Sequence, residues 1–234
     1  MNVDVLLELR DVRAAYERIE VVHGVSLAVH AGSVVALLGP NGAGKSTTLK
    51  VAAGLLRPTS GDVILAGRRV NGAHAEDLAR AGLCLVPEGR GVFPNLTVQE
   101  NLRVATHSGR AYAEIEEAAF GRFPRLADRR SQLAGTLSGG EQQMLALARG
   151  LATNPAVLLL DELSMGLAPL VVEDLYEKVA AIAREGVSIL VVEQFARVVL
   201  GVADHAAIMV HGKVAAFGRP EDLAGELQTA YLGS

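Results

Sequence analysis

One cysteine, Cys84, stands in the 234 residues, so no disulfide can close within the chain. It lies in the apolar run Leu83-Cys84-Leu85-Val86, which reads as a buried strand with the thiol as a small core residue. A membrane-length apolar run is also missing. Hydrophobic residues make up 50% of the chain and the mean hydropathy is +0.29, so the question is a real one. Yet the longest stretch without Asp, Glu, Lys or Arg, residues 21–44, is interrupted by His23, His30, Pro40, Asn41 and several glycines. A bilayer-spanning helix needs about 20 consecutive apolar residues. No secretory leader is expected, since Asp4, Glu8 and Asp11 stand where a basic start would be. Nor is there an excess of positive charge: the net charge is −4 and the pI about 5.9. Charge alone therefore argues against a nucleic-acid surface or binding to anionic lipid. Arg122, Arg125, Arg129 and Arg130 cluster, and read as a solvated helix end. These absences predict a cytoplasmic chain whose membrane contact, if any, runs through a partner.

What is present is an alternation of strand and helix patterns, with no internal repeat or low-complexity tract. The length suits one large α/β domain. Residues 5–38 read as several short strands, with period-two alternation over 6–12 and a turn at Ala31-Gly32. A helix is predicted over 45–55, and further strands over 61–65 and 83–86. From Thr97 to about Leu151 the pattern turns helical, most clearly over 111–120 and 142–151. Strands return at 157–160, 187–192, 206–210 and 213–217, interleaved with helices near 171–184 and 195–202. Such alternation predicts a mainly parallel sheet with helices on both faces, and ligands at the carboxyl ends of its strands. With the sequence ending soon after Pro220, no added regulatory domain is expected.

Three motifs carry chemistry. Gly39-Pro40-Asn41-Gly42-Ala43-Gly44-Lys45-Ser46-Thr47 follows the apolar run at 34–38 and opens a helix, which is the context of a phosphate-binding loop. With this composition the pattern arises by chance about three times per thousand sequences. Its backbone N–H groups would converge on phosphate oxygens with the positive helix end behind them. Lys45 would reach the β- and γ-phosphates, and the Ser46 hydroxyl would ligate magnesium. In the second motif, Leu137-Ser138-Gly139-Gly140-Glu141, Ser138 and Glu141 make a capping box for the helix that follows. That box does not account for Gly139 and Gly140, each costing about 1 kcal/mol in a helix relative to alanine. Glycines there suit a phosphate approaching the backbone closely. In the third, Asp161 and Glu162 end the apolar strand at 157–160. Adjacent strand residues face opposite sides, so the two carboxylates need not share a task.

In this order and spacing the motifs resemble the ATP-binding subunit of ABC transporters, over nearly the whole chain. The resemblance implies a P-loop NTPase fold of the ABC type: a mainly parallel core sheet, an N-terminal antiparallel β subdomain and a helical insert. It implies one domain over 1–234, with its core at 1–87 and 152–234 and the insert at about 88–151. ATP and Mg²⁺ follow as cofactors. Asp161 would hold magnesium, Glu162 would orient or deprotonate the attacking water, and Tyr16 would stack on adenine. Ser138, Gly139, Gly140 and Glu141 would contact the γ-phosphate held by a second ATPase subunit. The loop Ser164-Met165-Gly166-Leu167-Ala168-Pro169 would lie along that dimer interface, with Ala168 where many relatives have aspartate and Leu163 where proline is common.

Two further departures fall closer to the chemistry. Glu88 stands where the family usually has a glutamine that touches magnesium and senses the membrane subunit. Gln194 replaces a histidine that contacts the γ-phosphate; its amide still donates a hydrogen bond but cannot become cationic. The string VPEGRGVFPNLTVQENL at residues 86–102, with Val192-Glu193-Gln194 and Gly166-Leu167-Ala168-Pro169, is similar to the shorter ATPase subunit of branched-chain amino acid importers. Related importers of urea and short amides carry the same pattern. The implied partners are transmembrane permease subunits, gripped by residues 88–102, and a second ATPase subunit in a homodimer or heterodimer. An extracytoplasmic binding protein would be reached indirectly, and the chain would sit on the inner face of the cell membrane. Two rivals remain: a non-transport ABC-type ATPase acting on nucleic acid or in translation, and an almost inactive scaffold. The first usually brings coiled coils, paired ATPase domains or basic surfaces. Glu88, Gln194 and Ala168 favour the second, while Lys45, Asp161 and Glu162 oppose it. The transported solute is not written in a chain that never touches it.

Overall fold

The computed structural model describes residues 5–89, 91–194 and 196–232. β1 (Val5–Tyr16) and β2 (Ile19–His30) form one long antiparallel hairpin rather than several short strands. Register shifts between Leu9 and Val12 and again at Ala14, with Asp11 left-handed at φ 46°, interrupt the two-residue alternation while the pairing continues. β3 (Val34–Leu38) is buried throughout and leads into α1 (Lys45–Ala52). That helix stops short of residue 55 because Gly54, at φ 71°, turns the chain, with Leu55 N–H bonding back to Lys50 O at 2.8 Å. β4 (Ser60–Leu65) and β5 (Arg68–Arg69) then add to the hairpin in the order β2-β1-β4-β5. The antiparallel sheet thus lies wholly within the N-terminal third of the chain, with β3 and α1 inserted between its second and third strands.

α2 (Ala75–Arg80), which the sequence pattern did not signal, precedes β6 (Leu83–Val86). The helical stretch resolves into α3 (Val98–Val104), α4 (Tyr112–Arg122), α5 (Pro124–Ala127) and α6 (Gly139–Leu151). β7 (Val157–Asp161), α7 (Pro169–Arg184), β8 (Ser188–Glu193), α8 (Ala196–Leu200), β9 (His205–Val210), β10 (Lys213–Gly218) and α9 (Ala224–Leu232) complete the chain. The helix expected over 195–202 is α8; Phe195 lies outside the described residues. The core sheet runs β10-β9-β3-β8-β7-β6, parallel throughout except for the β10–β9 pair.

Alternation along the core strands splits the interior in two. Ala36, Leu38, Leu158, Leu160, Ile189 and Val191 face α6, α7 and the smaller helices. Val35, Leu37, Leu159, Leu190 and Val192 face α1 and the antiparallel sheet. α1 is therefore wedged between two sheets, anchored by the fully buried Leu49. The arginine cluster is largely solvent-exposed, as expected of a solvated helix end, and also forms surface ion pairs. Arg122 pairs with Glu185, Arg130 with Glu116 at 2.5 Å and Arg129 with Glu141 at 2.6 Å, which ties the helical stretch to α6 and to the end of α7. Among the described residues no helix is long and apolar enough to cross a membrane.

Truncating Leu49 tests the wedge. Leu49→Ala should cost about 2–5 kcal/mol by urea unfolding, and a loss below about 1 kcal/mol would show that α1 is not anchored there.

Candidate functional site

In a parallel sheet all strands end on one edge, and register decides whether those ends are level. Here Leu38 pairs with Glu193, Val192 with Asp161, and Leu160 with Val86. The loop after β3, the Asp161-Glu162 pair after β7, Gln194 after β8 and Glu88 after β6 therefore gather along one rim.

The loop at 39–46 wraps the start of α1. Gly39 has φ 154°, and a Cβ there would stand 2.1 Å from the carbonyl oxygen of Met209, so only glycine fits beside β9. Gly44, left-handed at φ 100°, caps α1. Ala43 N–H bonds to Pro40 O at 3.2 Å, and Gly212 N–H to Ala43 O at 2.9 Å, fixing the loop from both sides. Lys45, only 4% exposed, curls over the loop and donates from Nζ to Gly39 O at 2.8 Å and Pro40 O at 3.1 Å. Burial lowers its pKa, opposed by the carboxylates of Glu162, Asp161 and Glu193. Thr47 is buried in the first turn of α1.

Asp161 lies on the same strand face as Leu159, the face that α1 covers, and so meets that helix. Ser46 Oγ donates to Asp161 Oδ1 at 3.0 Å. Burial raises the Asp161 pKa; the Ser46 bond opposes the rise and the charge of Glu88 adds to it. Glu162 points elsewhere, held left-handed at φ 48° with its N–H on Val192 O at 3.0 Å. A non-glycine residue held there costs about 1–3 kcal/mol and persists only where the surroundings impose it. Its pKa is raised by burial first; Lys45 opposes this, while Glu88, Asp161 and Glu193 reinforce it. Glu162 opens on a pocket of about 380 Å³ lined also by Gly89, Val92, Gln142, Gln143 and Met165. Glu88 is exposed, and its charge reaches both Asp161 and Glu162. Gln194 follows β8 directly, half-buried.

No group of three or more His, Cys, Asp and Glu side chains among the described residues is arranged to hold a metal ion. Mg²⁺ asks for less: one or two carboxylates, with waters and substrate phosphates completing six oxygens. The Ser46 hydroxyl and the Asp161 carboxylate, already in contact, fit that demand. Tyr16 ends β1, 43% exposed, with Lys50 Nζ of α1 6.0 Å from its ring centroid. The aromatic face thus stands beside the helix that the loop opens.

The Ser138 motif opens α6, whose Gln142 and Gln143 line the same pocket as Glu162. Ser138 caps α6, its Oγ accepting from Glu141 N–H at 3.4 Å, while Glu141 Oε2 accepts from Ser138 N–H at 2.9 Å and Oγ at 2.8 Å. Burial pushes the Glu141 pKa up, but the Ser138 hydrogen bonds and Arg129 outweigh it and the net shift is downward. Gly139 and Gly140 occupy the first turn. Gly140 has a packing reason of its own: a Cβ there would come 2.4 Å from Val171 Cγ1 on α7. Phosphate approach is therefore not the only demand for glycine at that position. Behind α6, Leu55, Leu85, Pro87, Val104 and Arg149 line an open groove of about 430 Å³. Arg149 stacks over Phe93 at 4.5 Å and donates to Gly91 O.

Sequence reasoning assigned no role to Glu193, although a carboxylate closing the apolar run of β8 was visible. It also gave none to Asn101, buried in α3, whose side chain holds Phe93 N–H at 2.8 Å and Phe93 O at 3.0 Å.

The family described as ABC transporter matches residues 22–164. The chain is 39% identical to the high-affinity branched-chain amino acid transport ATP-binding protein BraG of Pseudomonas aeruginosa, covering 97% of this chain and 100% of that one. It is 32% identical to the lipopolysaccharide export system ATP-binding protein LptB of Haemophilus influenzae, covering 97% of each. Among solved structures it is similar to an ATP-binding cassette of an ABC transporter in its ADP conformation. There the TM-score is 0.87 at 26% identity, over 98% of this chain and 99% of that one.

The raised carboxylates carry a stability consequence. With folded-state pKa values above the ordinary ones, the folded chain holds protons that the unfolded chain releases. Ionising Asp161 thus costs stability at neutral pH, and the cost is relieved as pH falls through its raised pKa. Asp161→Asn should melt a few degrees above the native chain at pH 7.5, with the gap narrowing in mild acid. A lower melting point at pH 7.5 would contradict this.

Proposed function

We propose that this chain, which belongs to the ABC transporter family, is the ATPase subunit that energises an importer, with branched-chain amino acids as the favoured solute. The observation that carries the reading is the Ser46–Asp161 hydrogen bond at 3.0 Å, which joins the phosphate-binding loop to the acidic strand end beside Lys45. That is the arrangement nucleotide hydrolysis needs.

Residues 39–47 would receive the phosphates on backbone N–H groups, with Lys45 turning its ammonium from the loop carbonyls to the β- and γ-oxygens. Ser46 and Asp161 would hold Mg²⁺, with Glu88 as a third oxygen donor at the rim. When bound, the ion would supply positive charge that neutralises phosphate oxygens. Glu162 would take the proton of the attacking water, and its raised pKa makes it a stronger base. Gln194 would donate its amide to the γ-phosphate, and Tyr16 would stack on adenine. Ser138, Gly139, Gly140 and Glu141 would complete the site of a second ATPase subunit by contacting the γ-phosphate it holds. The open groove beside Leu85, Pro87 and Arg149, next to residues 88–102, would receive part of a short helix of a permease subunit. Through that contact the chain would lie on the inner face of the membrane, coupled indirectly to an extracytoplasmic binding protein.

The importer assignment is supported by the high similarity to BraG, while the likeness to LptB keeps an exporter as a second reading. Importers of urea or short amides would use the same machinery.

Glu162→Gln should lower ATP turnover by about 10²–10⁴-fold while retaining ATP binding. In light scattering after gel filtration it should run at twice the monomer mass with Mg·ATP and as a monomer with Mg·ADP. Turnover close to the native rate would remove Glu162 as the base. A monomer in both conditions, with ATP bound, would point to a different partner subunit.

A further inference from the structure

We propose that Glu193 is a positioning residue for the hydrolytic end of the site, its buried carboxylate locking the turn after Glu162 to the strand end that carries Gln194. The proposal rests on the reading of Glu162 as the base, and its experiment keeps the two apart.

Glu193 closes β8 on the face covered by α7, and only 1% of it is exposed. Ser164 donates to it twice, N–H to Oε1 at 2.9 Å and Oγ to Oε2 at 2.6 Å. Tyr176 of α7, itself fully buried, donates its hydroxyl to Oε1 at 2.5 Å. Ser164 lies two residues beyond Glu162, and Glu193 immediately precedes Gln194. The bond from Glu162 N–H to Val192 O at 3.0 Å pins the same junction on its other side. The left-handed conformation of Glu162 is thus held between two anchor points, both supplied by the end of β8.

A carboxylate suits this place better than an amide. It accepts all three donors at once, whereas a glutamine offers one acceptor oxygen and turns N–H groups toward Ser164 or Tyr176. Charge matters as well as geometry, since Glu193 adds to the raised pKa of Glu162 and favours the ammonium form of Lys45. Tyr176 is pushed well above its ordinary value by burial and by the same carboxylate, so it remains a donor at physiological pH.

The test compares Glu193→Gln, Ser164→Ala and Tyr176→Phe in the full chain purified with its permease subunits, reading ATP affinity, kcat and melting temperature. Misplacing a reacting group by a fraction of an ångström is expected to lower kcat about tenfold or more in Glu193→Gln and about threefold in Ser164→Ala, with ATP affinity within about threefold of native. Tyr176→Phe leaves both Ser164 bonds in place and should keep kcat within about twofold of native while melting lower. A folded Glu193→Gln with near-native kcat overturns the proposal. So do losses of kcat that follow melting temperature equally across all three variants. Should Glu193→Gln fail to fold, native turnover in Ser164→Ala overturns it alone. Glu162→Gln, run in parallel, reports on the base independently: turnover retained there defeats the reading of Glu162, whatever Glu193→Gln does.

Discussion

Leu38 opposite Glu193, Val192 opposite Asp161 and Leu160 opposite Val86 are the pairings on which the rest of the site depends. Side chains alternate along a strand with a period of two, so a slip of one residue would turn Asp161 away from α1 and bring Glu162 to Ser46. The pairing that levels the strand ends also decides which carboxylate meets the hydroxyl and which faces the open pocket. The apolar interior enforces that choice. Leu158 and Leu160 belong to one half of the core, and Leu159 belongs to the other.

A second constraint is electrostatic. Asp161, Glu162 and Glu193 act on one buried ammonium, that of Lys45, and Glu88 adds its charge to Asp161 and Glu162. Such crowding works against folding, since each added negative charge makes the next harder to ionise. The arrangement persists because hydrogen bonds are distributed with care: Ser46 to Asp161, Ser164 and Tyr176 to Glu193. Charged groups are thereby collected at one rim of a well-packed sheet and held in place before any ligand arrives.

Much of this was legible in the sequence. The loop at 39–47, the capping box of Ser138 and Glu141, and the acidic end of β7 each occupy a contiguous stretch whose local physics is self-contained. The strands of the core were legible too, because fully buried parallel strands are continuous apolar runs. β1 and β2 were misjudged in length, since their register shifts blur the alternation by which strands are recognised. The glycines after Ser138 were credited to phosphate approach alone, while Gly140 also answers to Val171, thirty-one residues on. The arginines at 122, 129 and 130 are solvated as their composition suggests, but their carboxylate partners lie on other elements, which no local pattern reveals.

By itself, then, the sequence determined the chemical parts: a glycine loop with its lysine and serine, a pair of carboxylates, a capped helix, and the strand–helix alternation that makes a parallel sheet. These follow from local backbone preference and short-range periodicity. Only the tertiary structure decided which parts meet. It set Ser46 on Asp161 rather than on Glu162, brought Glu88 within electrostatic reach of both, and closed Ser164 and Tyr176 over Glu193. Those contacts span strands far apart in the chain, and their energies come from register and burial, which no single segment carries.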